Sequence, residues 1–223
     1  MRNFQNAMQP QPGWQVDWAI VDRYRFLDDA QNIHFRLTDF TTGADAHLCE
    51  GWIVAGSFDN TTEAWIPRVL TRRSGETAPL ESTFVALLEP YHKQPAIARV
   101  ERLLLTNETG TSVKYSHIAL AITLATGDRD LLVLRDPMDE TTGVLCQREW
   151  QITTDAAMLL ASTTETGTMI TIAVRGGHKT HIGPSRLVLT DDMDYVEVKM
   201  DDTGPTLVHG AYNMIAEMVI QTE

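Results

Sequence analysis

Residues Ser82 to Leu105 read STFVALLEPYHKQPAIARVERLLL, and the parsing of this stretch decides the class of the fold. From Ser82 to Glu89 both alternate sets are apolar, Phe84, Ala86 and Leu88 on one and Val85 and Leu87 on the other, the pattern of a strand covered on both faces. Pro90 removes a ladder donor and biases Glu89 towards extended backbone, and Pro95 repeats the effect, so Tyr91, His92, Lys93 and Gln94 are expected as an exposed tip. The second arm, Ile97 to Leu105, also fits a helical spacing through Ile97, Val100 and Leu104, but its shortness and the preceding turn signal favour strand. The expectation is a central hairpin with Phe84, Leu87, Val100 and Leu103 buried.

Outward from this hairpin the chain is a succession of short β segments. Trp14, Val16 and Trp18 alternate with Gln15 and Asp17, and Ile33, Phe35 and Leu37 alternate with His34, Arg36 and Thr38. His47 to Ala55 and Ala64 to Thr71 supply two more strands around the Gly56 to Asn60 loop. Downstream, Tyr115 to Ala125, Leu131 to Arg135, Gly143 to Ile152, Ala156 to Ser162 and Met169 to Arg175 continue the pattern, followed by Arg186 to Thr190, Tyr195 to Met200 and Thr206 to His209. Tyr212 to Ile220 has helix-forming alanine and methionine, although strand suits the preceding Asp201 to Gly204 turn better. Nothing between these strands has the length or amphipathic period of a crossover helix, which argues against a parallel α/β fold. The predicted fold is all-β: an antiparallel β-sandwich, as one large domain or two packed sheet units. Residues 1–13, polar and proline-marked, read as a disordered lead or linker. Residues 14–136 read as the main β-sandwich and 137–223 as a C-terminal β unit, with the break in the proline- and hydroxyl-rich Asp136 to Gly143.

With 223 residues, 43% of them hydrophobic, the chain has the composition of a soluble globular protein able to bury a full core. A net charge of -12 argues against nucleic acid or an anionic membrane as partner, and against acidic polysaccharide too unless a local basic patch overrides the field. No run approaches the length of a membrane span, and the N-terminus lacks the architecture of a secretory signal. Cys49 and Cys146 both lie in apolar strand-like surroundings and read as buried free thiols; a disulfide between them has no spacing signal.

Ser82-Thr83-Phe84-Val85, Glu89-Pro90-Tyr91 and then Ile97, Val100 and Arg102-Leu103 form a run that resembles the late β-sheet region of the heparinase II/III-like polysaccharide lyases. Trp14 to Trp18, Asn32 to Thr38 and Arg72 to Glu76 fall upstream in the order that family shows, so the likeness covers roughly residues 14 to 105. None of these motifs is catalytic. The resemblance implies a full enzyme that depolymerises uronic-acid polysaccharides by β-elimination. Its catalytic tyrosine and histidine and its zinc ligands would lie on a helical toroid domain and earlier strands, outside this sequence. It therefore implies no catalytic residue and no cofactor here, a toroid domain and acidic polysaccharide as partners, and a periplasmic or secreted location.

Three groups of residues invite chemistry. In Gly176-Gly177-His178-Lys179-Thr180-His181, two histidines precede Asp191, Asp192 and Asp194; a metal would need both rings and a carboxylate to converge, and His-x-x-His does so only in a loop. The tip Tyr91-His92-Lys93 beside Glu89 holds a phenol, an imidazole, an amine and an acid, types suited to proton transfer. Adjacent turn residues do not converge on one substrate atom, however, so a surface turn is the better reading. Trp14, Trp18, Trp52, Trp65 and Trp150 sit mostly in phase with apolar neighbours and read as core. Trp65 stands apart because Arg68, Arg72 and Arg73 follow it, the basic cluster able to meet an acidic glycan. The candidate glycan contacts are thus Trp65, Arg68, Arg72, Arg73, Tyr91 and His92, with His178 and His181 as weak metal candidates.

The sequence leaves three readings: a non-catalytic β-sandwich portion of a heparinase II/III-like lyase, a self-contained carbohydrate-binding sandwich with exposed tryptophans on one face, and a small metal-dependent enzyme using the His178/His181 loop. The lack of any constellation with specific spacing favours the first.

Overall fold

Alternating apolar residues at period two run through nearly the whole chain, and the computed structural model turns them into eighteen strands among the described residues. The structure describes residues 1–22, 25–54, 63–139, 141–190, 194–201, 203–211, 213 and 215–220. Every paired strand among them runs antiparallel. The fold is all-β, as the pattern of short apolar segments predicts. The expected Gly56 to Asn60 loop lies outside the described residues.

The chain divides into two units, Met1–His92 and Lys93–Glu223. The first holds β1 (Arg2–Ala7), β2 (Trp14–Ala19), a 3-10 turn (Ala30–Asn32), β3 (Ile33–Asp39), β4 (Asp45–Val54), β5 (Glu63–Arg72) and β6 (Ala86–His92). They form two three-stranded sheets, ordered β1-β4-β5 and β2-β3-β6. The second unit holds β7 (Ile97–Arg102), β8 (Ile118–Leu124), β9 (Arg129–Leu134), β10 (Leu145–Gln147), β11 (Ile152–Thr154), β12 (Met158–Thr163), β13 (Met169–Arg175), β14 (Lys179–Ile182), β15 (Ser185–Leu189), β16 (Val196–Asp201), β17 (Gly204–His209) and β18 (Ile215–Val219). Here a seven-stranded sheet, β17-β16-β13-β12-β9-β8-β7, accompanies a five-stranded one, β10-β11-β14-β15-β18.

The second unit is a sandwich because strand alternation and register agree. Ala119, Val133, Leu159, Val174 and Val196 lie directly opposite one another along the seven-stranded sheet, and Ala121, Leu131, Ala161, Ile172 and Val198 form the next row on the same face. The five-stranded sheet supplies Leu145, Ile152, Ile182, Leu187 and Leu189 to the same core. Burying whole Leu, Ile and Val side chains in two facing layers contributes about 1.5–3 kcal/mol each. One buried polar pair crosses the smaller sheet, where the Thr154 and Thr180 hydroxyls meet at 2.8 Å and so satisfy each other.

The expected central hairpin is not formed. Its first arm, β6, pairs with β3 through Ile33↔His92 to Asp39↔Ala86, and its second arm, β7, pairs with β8. Both are edge strands. Pro90 gives the physical reason, since a proline is tolerated in a strand whose outer side needs no ladder donor. The strand also continues through Tyr91 and His92, which the sequence placed in the tip. The expected burial is not reached either: Phe84, which precedes β6, is 55% exposed and Leu88 56%, while Leu87, Val100 and Leu103 are half-buried. Apolar residues on both parities had implied two covered faces.

Further expectations differ from the structure. Arg2–Ala7, read as a disordered lead, is a strand paired with β4. The division falls between His92 and Lys93, whereas the described residues 136–139 and 141–143 are tied to both flanks: Arg135 Nη1 and Nη2, just after β9, donate to the carbonyls of Thr142 and Gly143 at 2.5 and 2.6 Å, and Asp139 meets His117, just before β8. Gly143 to Ile152 is two strands separated by a turn, and Lys179–Ile182, read as a loop, is β14. Both cysteines are free, Cys49 buried and Cys146 half-buried.

Candidate functional site

Strand parity sorts the basic and aromatic candidates of β5. With no register shift between β4 and β5, Arg68 and Arg72 project to one face and Trp65 to the other. Trp65 meets a different arginine, because β1 brings the Arg2 guanidinium to 4.1 Å from the Trp65 ring centroid. Arg2 is tied in turn to Glu50 at 2.8 Å, and that hydrogen bond, with one from Asn3, holds the Glu50 carboxyl below the ordinary range. Trp52 lies directly across from Trp65 and is 49% exposed.

On the opposite face the Arg68 side chain lies across Gly51, where a Cβ would come within 1.9 Å of Arg68 Nε. Arg72 stands across from Asp45, whose Oδ1 accepts the Gln9 backbone N–H at 3.2 Å. Among the described residues no carboxylate pairs with Arg68, Arg72 or Arg73. Arg68 and Arg72 are exposed, on a strand at the sheet edge.

Tyr91 and His92 occupy opposite parities of β6 and enter different clusters. His92 Nε2 meets Asp29 Oδ2 at 2.8 Å. Tyr91 donates its hydroxyl to Asp17 Oδ2 and stacks on His34 at 5.1 Å with the rings 12° apart. His34 Nδ1 reaches the other Asp17 oxygen at 2.6 Å. Beside them Arg36 holds Glu89 through Nη2 at 2.5 Å and Nε at 3.1 Å, and its guanidinium lies 5.7 Å from the Tyr91 ring centroid. Register explains the convergence, since Asp17, Arg36 and Glu89 form one row across β2, β3 and β6 and His34 with Tyr91 the next row on the same face. The sequence signal was present in the alternation of β2 and β3; what it lacked was the pairing of β3 with β6.

Electrostatics fix the protons in this cluster. Partial burial pushes the Asp17 carboxyl up, but hydrogen bonds from Tyr91 and His34 and the nearby positive charge outweigh it and hold Asp17 below the ordinary range. Tyr91 is shifted upward, chiefly because ionising it would lose its hydrogen bond to Asp17. A phenol so held keeps its proton, which is the wrong direction for a general base.

In the second unit, His181 sits within β14 between Thr153 of β11 and Arg186 of β15. His178 precedes the strand; the backbone N–H groups of His178 and Lys179 donate to Asp155 Oδ1 at 2.8 and 2.7 Å. Asp191 and Asp192 lie outside the described residues. Among the described residues no three His, Cys, Asp or Glu side chains gather as a metal-holding group, and no helix is long and apolar enough to cross a membrane. No protein-family model matches the chain, and a search of curated proteins finds no match.

Proposed function

We propose that this chain is a β-sheet portion of a heparinase II/III-like polysaccharide lyase that contacts acidic glycan and has no elimination activity by itself. The motif order from Trp14 to Leu103 supports the lyase reading, and the all-β architecture is compatible with it. One observation carries the glycan contact: Arg68 and Arg72 share a face of the edge strand β5, Arg73 follows directly, and none of the three has a carboxylate partner among the described residues. In a chain of net charge -12, uncommitted guanidinium forks are the groups suited to uronate carboxylates. Arginines on an edge strand also deter strand addition, and the experiment separates the two roles. In affinity electrophoresis through gels containing alginate or heparan sulfate, the chain is retarded and Arg72→Ala/Arg73→Ala is not, with both monomeric by size exclusion. Equal mobility shifts, or loss of retention only on self-association, would overturn the contact. The elimination product carries a double bond conjugated to the carboxylate, so ultraviolet absorbance over these polymers stays flat with the chain alone; steady growth would place an active site within it.

A specific feature favours a second reading, a self-contained carbohydrate-binding module: Trp52 and Trp65 are cross-strand partners on one face, and Trp52 is half-exposed. It requires retention on neutral glycans that Trp52→Ala abolishes.

A further inference from the structure

Three turns of the second unit gather at one end of the sandwich, the β10–β11 turn, the β12–β13 turn and the β14–β15 turn, and with the start of β9 they line a cleft of about 660 Å3. That volume lies in the range of sites for small organic ligands. Its walls carry Arg129, Glu149, Trp150, Gln151, Thr163 and Thr166.

One charged donor in this cleft is uncommitted. The Arg129 guanidinium rests 4.6 Å from the Trp150 ring centroid, a stacking that holds its planar fork in place. Among the described residues no carboxylate pairs with it. The Trp150 Nε1–H is buried and has no acceptor among the described residues, an exception to the rule that buried donors are paired. Around them stand an amide and threonine hydroxyls, which can donate or accept. A pre-positioned guanidinium calls for a carboxylate, and the neutral groups call for hydroxyls next to it. Glu149 in the same wall disfavours ligands dense in negative charge. A sugar ring bearing one carboxylate and several hydroxyls meets all of these conditions.

We infer that this cleft is a second subsite, which binds a uronate unit of an acidic oligosaccharide with Arg129, held against the Trp150 ring, on the carboxylate. The inference rests on the reading that the chain contacts acidic glycan, and adds a place for one sugar unit remote in sequence from Arg68, Arg72 and Arg73.

The test is calorimetric titration with an oligogalacturonate tetrasaccharide and with neutral cellotetraose, beside the gel assay on polymer. The uronate tetrasaccharide binds and cellotetraose does not. Arg129→Ala weakens binding about tenfold or more, as loss of a charged hydrogen-bonding partner does. Arg129→Lys restores part of it, and Trp150→Leu, which removes the ring that holds the Arg129 guanidinium in place, weakens it severalfold. Circular dichroism confirms that each variant folds. If the chain is retarded by polymer but Arg129→Ala binds the tetrasaccharide as the parent does, the cleft is not the subsite and the broader reading survives. If neither polymer nor tetrasaccharide binds the parent, both fall.

Discussion

His117 Nε2 lies 2.8 Å from Asp139 Oδ2, with the two side chains 0% and 2% exposed, and this pair fastens the β9–β10 connection to the start of β8. The Asp136 backbone N–H donates to His117 Nδ1 at 3.0 Å, so the ring proton sits on Nε2 and points at the carboxylate. Asp139 also accepts the Thr141 N–H, the Thr141 hydroxyl at 2.6 Å and the Thr142 hydroxyl at 2.8 Å. Hydrogen bonds from Thr141, then His117 and Thr142, drive its pKa far below the ordinary range despite burial.

Acid stability follows with a definite sign. An unfolded aspartate titrates near about 3.9, and Asp139 in the folded chain titrates lower, so as pH falls the unfolded state takes up this proton first. The stabilisation is complete above that range and is lost as pH drops from about 4 through the folded value. Asp139→Asn lowers the Tm by several degrees at neutral pH and flattens the acid limb of a Tm-against-pH curve. An unchanged acid limb would assign that sensitivity to other carboxylates.

Removing one residue from the facing rows of the sandwich tests its packing. Leu159 is fully buried between Val133 and Val174, so Leu159→Ala destabilises by about 3 kcal/mol in urea unfolding. Phe84→Ala, at an exposed position that the sequence placed in the core, changes stability by less than about 0.5 kcal/mol.

Gly51 gives a way to move Arg68 without replacing it. A methyl group there meets the Arg68 side chain, a flexible group that swings aside at small cost. Gly51→Ala therefore shifts the Tm by no more than a few degrees yet weakens retention in alginate gels as Arg68→Ala does. Retention equal to the parent would show that the orientation of Arg68 over Gly51 is immaterial.

Tyr91 ionises above the ordinary tyrosine range in a spectrophotometric pH titration. Asp17→Asn brings it back down, because the carboxylate that accepts the phenol proton is gone. A titration indifferent to Asp17 would break the link between the two residues.

The sequence by itself determined that this chain is all-β and antiparallel, because a period of two between turn residues leaves no other regular structure that buries Leu131, Val133, Leu159 and Ile172. It also marked Arg68, Arg72 and Arg73 as a basic cluster, since adjacency in the chain is visible in one dimension. What only the tertiary structure decided was partnership. Apolar residues on both parities of Ser82 to Glu89 describe a covered central strand and an apolar edge strand equally well, and β6 is the second. Trp65 is next to the arginines in sequence but across the sheet from Arg68 and Arg72, because successive strand residues point to opposite faces. Asp17, His34, Arg36, Glu89 and Tyr91 come from three strands, and Arg129 and Trp150 from the start of β9 and the β10–β11 turn. Contacts between such segments depend on strand order and register, which the local pattern of any one strand does not specify.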